Sequence, residues 1–233
     1  MNTVYDNLIA IKNEIKKIAS LCDRDPKDIE LIAVSKTKSV AQITEAIKAG
    51  QVSFGENYVQ EGIEKIKHFK QNMPEIPLTW HFIGPLQSNK SKLVAQYFDW
   101  MHTIDRFKIA QRLSEQRPPD MPKLNVLIQI NISQESSKSG VTPEEAADLV
   151  NQIITLPNLK LRGLMAIPEI ENDFKKQLSV FTQMKQLLKV LQVNYPFMDT
   201  LSMGMSNDIK AAIVAGSTMV RIGRAIFGER QYL

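Results

Sequence analysis

Eight short apolar runs, most of them followed by a stretch with helical spacing, constrain this chain more than any other feature. The runs are "IELIAVSK", "QVSFGEN", "LTWHFIG", "WMHTID", "LNVLIQIN", "LKLRGLMAI", "DTLSMG" and "TMVRIG". Helical character follows around 40–49, 57–70, 88–97, 106–116, 143–155, 172–192 and 206–215. Repeated β-then-α units with short links predict parallel strands joined by right-handed crossovers. The runs are nearly continuous in apolar residues, as strands covered on both faces must be. Closed into a ring, eight such units make a (β/α)8 barrel, and 233 residues is an ordinary length for one. The competing arrangement, an open doubly wound sheet, calls for a G-x-G-x-x-G turn after its first strand, and none is present.

Ahead of the first run, Val4, Leu8, Ile11, Ile15 and Ile18 recur at steps of three and four and predict an extra amphipathic helix. It is expected to cap the barrel or to lie beside the last helix. Thr142, Pro143 and Glu145 form a helix-start signal for 143–155, with Thr142 as N-cap. "RPPDMPK" at 117–123 reads as a helix-to-strand loop. No linker interrupts the pattern, so residues 1–233 are taken as one domain.

Composition narrows the function classes. Twenty-nine basic and 25 acidic residues leave a net charge of +4, spread along helices without basic tails, which argues against nucleic acid as a partner. Cys22 is the single cysteine, so an internal disulfide and a thiolate zinc cluster are excluded, and a reducing compartment is the natural setting. The three histidines, His68, His81 and His102, are scattered without a ligand pattern, so no metal is expected. The N-terminus mixes charges into its apolar spacing and does not read as a signal peptide, and no stretch approaches a membrane span. A cytoplasmic protein is expected.

In such barrels the active site lies at the C-terminal ends of the strands. Those ends carry Lys36; Glu56 and Asn57; His81 and Gly84; His102 to Asp105; Asn131; Met165 to Pro168; Ser202 to Gly204; and Arg221 to Arg224. Lys36 reads in two ways: as a surface lysine ending a strand, or as an amine in a partly dry mouth. There its charged form is disfavoured and it becomes a nucleophile toward an aldehyde. The segments "SMGMS" and "RIGRAIFG" end the seventh and eighth strands, where phosphate sites of these barrels form. Ser202 offers a hydroxyl and Gly204 a flexible turn. Gly223 lets an anion approach the backbone, and a short helix starting at Arg224 would add its unpaired N–H groups. The bland alternative is that both glycines only make tight turns. An amine on one side and a phosphate cradle on the other suit a ligand carrying both an aldehyde and a phosphate, such as pyridoxal 5′-phosphate (PLP). Arg221 would then fall near the ring nitrogen, where a donor holds that nitrogen unprotonated and weakens the ring as an electron sink.

With these residues in hand, the chain resembles the pyridoxal phosphate homeostasis (YggS/PROSC) family. "AVSKTK", "FGENYVQE", "WHFIGPLQSNK", "HTID", "SSKSG", "LRGLMAIP", "LSMGMSNDIKAAIVAGSTMVRIG" and "AIFGER" occur in order over nearly the whole chain. The resemblance implies the fold type III barrel shared with the N-terminal domain of alanine racemase. It implies PLP held as a Schiff base on Lys36, and phosphate held by Ser202, Gly223 and the backbone of Arg224. It also places Arg221 at the pyridine nitrogen, Asn57 beside the ring, and Met203 and Met205 in the wall. Arg224 stands where many members carry a small hydroxyl residue, so only its backbone role carries over.

The same resemblance bears on catalysis. Alanine racemase takes its second base, a tyrosine, from a further domain across a dimer interface. Here the barrel occupies nearly all the chain, and of Tyr5, Tyr58, Tyr97, Tyr195 and Tyr232 only Tyr58 is close to a strand tip. A missing base and a weak electron sink point to a monomeric, non-catalytic carrier with no catalytic residues. Such a carrier stores PLP and passes it on, with transient contact to PLP-dependent apoenzymes. The alternatives are a low-activity amino-acid racemase, an aldolase-like barrel and an interaction protein with a vestigial pocket. His81 and His102 are candidates for either function or packing, Lys138 for cofactor contact or a solvent-facing loop, and the lysines of 12–17 and 65–70 for solvated helix faces.

Overall fold

The computed structural model describes residues 3–133 and 139–229. Eight parallel strands close into a barrel in the order of the chain: β1 (Glu30–Val34), β2 (Ser53–Glu56), β3 (Thr79–Phe82), β4 (Trp100–Ile104), β5 (Leu124–Gln129), β6 (Leu159–Met165), β7 (Thr200–Ser202) and β8 (Met219–Ile222). The helices are α1 (Val4–Leu21), α2 (Val40–Lys48), α3 (Val59–Asn72), α4 (Ser91–Tyr97), α5 (Phe107–Gln116), α6 (Ala146–Ile153), α7 (Phe174–Gln192), α8 (Ile209–Ala215) and the single turn α9 (Arg224–Phe227). All eight expected strands are present.

Two sets of side chains fill the fold. The outward faces of the strands and the inward faces of the helices form one large core, with Phe54, Phe69, Phe82, Phe98 and Phe181 fully buried. A second, smaller cluster of Ile32, Trp100, Leu127, Met165 and Met219 stands apart from it. Because side chains alternate across a strand, these residues mark the barrel axis. The polar residues Ser53, His81, His102, Ser202 and Arg221 are also buried.

The extra helix has a definite place. Since among the described residues β8 is followed only by the one-turn α9, the outer ring of helices would be thin over the β8–β1 seam. The face of α1 carrying Leu8, Ile11, Ile15 and Ile18 is buried there, against α8, α9 and α2. Asn7 Nδ2 donates to Ile226 O at 2.9 Å, and Lys12 Nζ donates to Ala49 O and Gly50 O at 3.2 Å beyond the end of α2. Just beyond α1, Arg24 Nη1 donates to Ile213 O at 2.8 Å.

One helix begins later than its sequence signal. Thr142 and Glu145 do exchange side-chain bonds, at 2.9 and 3.4 Å. The intervening turn is closed by i-to-i+3 bonds, Glu145 N to Thr142 O and Ala146 N to Pro143 O, so α-geometry starts at Ala146. The proline-rich loop is a loop, and Arg117 anchors it by donating to Pro122 O, Ala95 O and Phe98 O at 2.7–2.8 Å. No helix among the described residues is long and apolar enough to cross a membrane.

Candidate functional site at the barrel mouth

The β1–β8 seam brings the two chemically distinct strand ends together. Ala33 is the register partner of Ile222, which sets Gly223 beside Val34 and brings the chain to Lys36 on the same rim. Gly223 is needed for that approach. A Cβ on it would lie 3.2 Å from Val34 O and 3.3 Å from Val34 Cβ. The next two N–H groups, of Arg224 and Ala225, open α9 and donate to no described residue. Lys36 is half-buried. Lys38, two residues on, is committed elsewhere: its Nζ donates to Phe227 O, Gly228 O and Glu229 O at 3.3, 3.1 and 2.9 Å, closing the C-terminal end of α9. On the β7 side, Gly204 turns with φ +100°, and a Cβ there would sit 2.5 Å from Ala212 Cβ. Its carbonyl accepts from Arg221 N at 2.9 Å.

Beneath Lys36 lies a clamp that sequence reasoning missed. Lys65, expected on a solvated face of α3, is buried. Its Nζ donates to Ser35 O at 2.7 Å, Glu56 Oε1 at 2.8 Å and Glu61 Oε1 at 2.6 Å. Ser35 Oγ donates to the same Glu56 oxygen at 2.6 Å, and Thr37 N donates to Glu61 Oε1 at 2.5 Å. Both residues flanking Lys36 are therefore fixed by one ion cluster. The cluster also holds Thr37 at φ +62°, an unfavourable conformation for a β-branched residue. Burial lifts the Glu56 carboxyl above its ordinary range, although Lys65 opposes the shift. A signal was present in the sequence: Glu61 and Lys65 stand one turn apart on the helix that follows Glu56, the spacing of a helical ion pair.

Arg221 crosses the floor of the mouth. Its Nη1 donates to Ser202 Oγ at 2.6 Å and its Nη2 to Ala166 O at 2.9 Å. Burial pulls the guanidinium down to about 10, against the pull of Asp208, which leaves it charged at neutral pH. Ser202 is fully buried, with His102 Nδ1 at 2.9 Å from its oxygen. His102 Nε2 lies 3.0 Å from His81 Nδ1, and His81 Nε2 lies 3.6 Å from Glu30 Oε1. Burial, then His81 and Arg221, hold His102 well below the usual imidazole range. Both histidines left open by the sequence are thus fully buried inside the barrel, while His68 is exposed on α3.

The remaining tips, β2 to β6, line a cavity of about 300 Å³ that includes Asn57, Ile83, Pro85, Thr103, Gln129 and Ile167. Asn57 Oδ1 is buried there without a hydrogen-bond partner among the described residues. Lys138 and Tyr232 lie outside the described residues, as does most of "SSKSG".

Comparison with known proteins agrees with this geometry. Residues 7–231 match the family described as alanine racemase, N-terminal domain. The pyridoxal phosphate homeostasis protein of Escherichia coli (strain K12) is 57% identical over 232 residues, covering 100% of this chain and 99% of that protein. That of Pseudomonas aeruginosa is 49% identical over 232 residues, covering 100% and 98%. Among solved structures, PipY of Synechococcus elongatus PCC7942 with PLP bound has a TM-score of 0.79 at 34% identity, covering 92% of this chain and 99% of that one. Alanine racemase of Clostridium difficile 630 has a TM-score of 0.73 at 19% identity and shares the fold, with 96% of this chain matching 57% of that enzyme.

Proposed function

Because this chain belongs to the pyridoxal phosphate homeostasis protein family, we propose that it binds PLP at the β1–β8 rim, holds it as a Schiff base on Lys36 and serves intracellular PLP homeostasis without efficient catalysis. When bound, PLP supplies an aldehyde that condenses with an amine and a ring that can take up negative charge. The observation that carries the reading is the register of β1 and β8, which sets the Lys36 turn and the Gly223–Arg224 turn side by side on one rim.

The residues present fit the cofactor. The N–H groups of Arg224 and Ala225, reached past a glycine, suit a phosphate. Asn57 offers a buried, unpartnered carbonyl oxygen beside the ring. Arg221 presents a fixed, charged donor to the ring nitrogen. Ser202 we assign to Arg221 rather than to the phosphate, because its oxygen accepts from Arg221 Nη1 and its hydrogen has His102 Nδ1 within reach. The clamp around Ser35 and Thr37 orients Lys36, whereas Lys38 is engaged by three carbonyl partners, which favours Lys36 as the attachment point.

The non-catalytic part of the reading is supported by the donor at the ring nitrogen and by the tyrosines. Among the described residues, the tyrosine next to a strand tip, Tyr58, is half-exposed at the start of α3. We extend the same proposal to a cytoplasmic monomer that hands PLP to apoenzymes. Borohydride reduction of the PLP-loaded protein, followed by peptide mapping, is expected to find the label on Lys36. Label mainly on Lys38 or Lys138 would overturn the assignment.

A further inference from the structure

The binding reading leaves a pair of buried histidines unused. They continue a line of contacts from Arg221 on β8 through Ser202 on β7, His102 on β4 and His81 on β3 to Glu30 on β1, across the barrel axis. We propose that His102, acting through Ser202, is a positioning residue for Arg221, and that His81 and Glu30 hold His102 in the tautomer this requires. The inference rests on Arg221 being the partner of the PLP ring nitrogen.

The polarity of the chain argues for it. A guanidinium has only donors. Arg221 Nη1, 2.6 Å from Ser202 Oγ, therefore makes that oxygen an acceptor and leaves the hydroxyl hydrogen to be placed. Its natural recipient is His102 Nδ1 at 2.9 Å, which must then be the unprotonated nitrogen. His102 consequently carries its hydrogen on Nε2 and donates to His81 Nδ1 at 3.0 Å. His81 carries its own hydrogen on Nε2, directed at the Glu30 carboxylate 3.6 Å away. Every donor in this order but the last meets an acceptor at hydrogen-bond distance; His81 Nε2 faces the Glu30 carboxylate from beyond that distance, drawn by its charge.

The reverse order is worse at both ends. Ser202 Oγ would spend both lone pairs on Arg221 and His102 and leave its own hydrogen without an acceptor in the line, and a lone pair of His81 would face a carboxylate. A doubly protonated His102 would sit buried beside the Arg221 cation. The surroundings keep the line rigid. Trp100 stacks on His81 with centroids 5.5 Å apart and planes at 18°, and Arg162 covers Trp100 at 5.1 Å. Ser53 donates to Glu30 Oε1 at 2.6 Å. With Nη1 on Ser202 and Nη2 on Ala166 O, the plane of the Arg221 guanidinium is set by two bonds, one of which depends on this line.

The test is side-chain ¹⁵N NMR of the full chain, joined to PLP titration of two variants. In the unaltered protein His102 is expected to be a neutral Nε2–H tautomer at neutral pH, with His81 Nδ1 accepting from it. His102→Leu, which cannot accept from Ser202, is expected to weaken PLP binding by about tenfold, the scale of one hydrogen bond to a charged group. His102→Gln, whose amide can accept from Ser202 and donate to His81, is expected to restore most of that loss. An Nδ1–H tautomer or an imidazolium at His102 would overturn the proposal. So would equal PLP affinity in His102→Leu and the unaltered protein. Should His102→Leu fail to fold, the tautomer of the unaltered chain decides. Failure of the unaltered chain to trap PLP on Lys36 would instead remove the binding reading itself.

Discussion

Replacing Lys65 by Met separates the ion clamp from simple packing, because the two side chains are similar in size and differ mainly in the amine. In the native protein Lys65 and Glu56 side chains are 7% and 0% exposed and 2.8 Å apart. Taking the amine away leaves a carboxylate buried without its counter-charge, a loss of about 3–5 kcal/mol for pairs of this kind. For a domain of this size that corresponds to a fall in Tm of roughly 6–20 °C. The loss must depend on pH. A carboxyl whose folded pKa stands above its unfolded value takes up a proton on folding. Stability therefore falls as pH rises through the window between the two values. Burial already sets Glu56 on that side, with Lys65 opposing. Without Lys65 the window extends upward, and the variant loses up to about 1.4 kcal/mol per pH unit relative to the native chain across the added span. Urea unfolding should show a large deficit at pH 8. At pH 5, where Glu56 is protonated in the variant, it should shrink to about 1 kcal/mol, the worth of the lost bond to Ser35 O. Adding Glu56→Gln should recover most of the deficit at pH 8. A deficit that is equal at pH 5 and pH 8, or unrelieved in the double variant, would refute the claim that Lys65 neutralises a buried charge.

Two further perturbations test other parts of the site. Gly84→Ala builds a Cβ 2.2 Å from Asn57 O, which forces the tips of β2 and β3 apart; a loss of about 1–3 kcal/mol is expected, with weaker PLP binding in a fluorescence titration, and unchanged binding would separate Asn57 from the site. His102, held neutral by burial well below the usual imidazole range, contributes stability that is present above that range and is lost as pH falls through it, by about 1.4 kcal/mol per unit; chemical denaturation of His102→Gln between about pH 6.5 and pH 5 should show a correspondingly shallower acid slope.

The barrel was legible because its strands are covered on both faces, so most show as nearly continuous apolar runs with polar residues near their tips, and tips are where such folds gather chemistry. That rule alone picks out Lys36, Gly223 and Arg221 as candidates. What the rule does not reach is pairing across the axis. Glu30, His81, His102, Ser202 and Arg221 are polar residues set singly into five different strands. Which of them meet depends on the stagger of the strands around the barrel, which no single run encodes. Lys65 was missed for a different reason. A lysine among lysines on a helix reads as solvated until Glu56, from another element, comes within reach. The N-terminal helix shows how the two levels join. Its periodicity announces a helix but gives it no address. The address follows from the other end of the chain, where the motif after β8 makes only one turn before Gly228. A full-length eighth helix over that seam would bury the wall but would also lengthen the turn that carries the Arg224 and Ala225 N–H groups. With α1 covering the wall from outside, the one-turn α9 can end early enough for Lys38 to cap it, and the Lys36 turn is tied directly to the Gly223–Arg224 turn beside it.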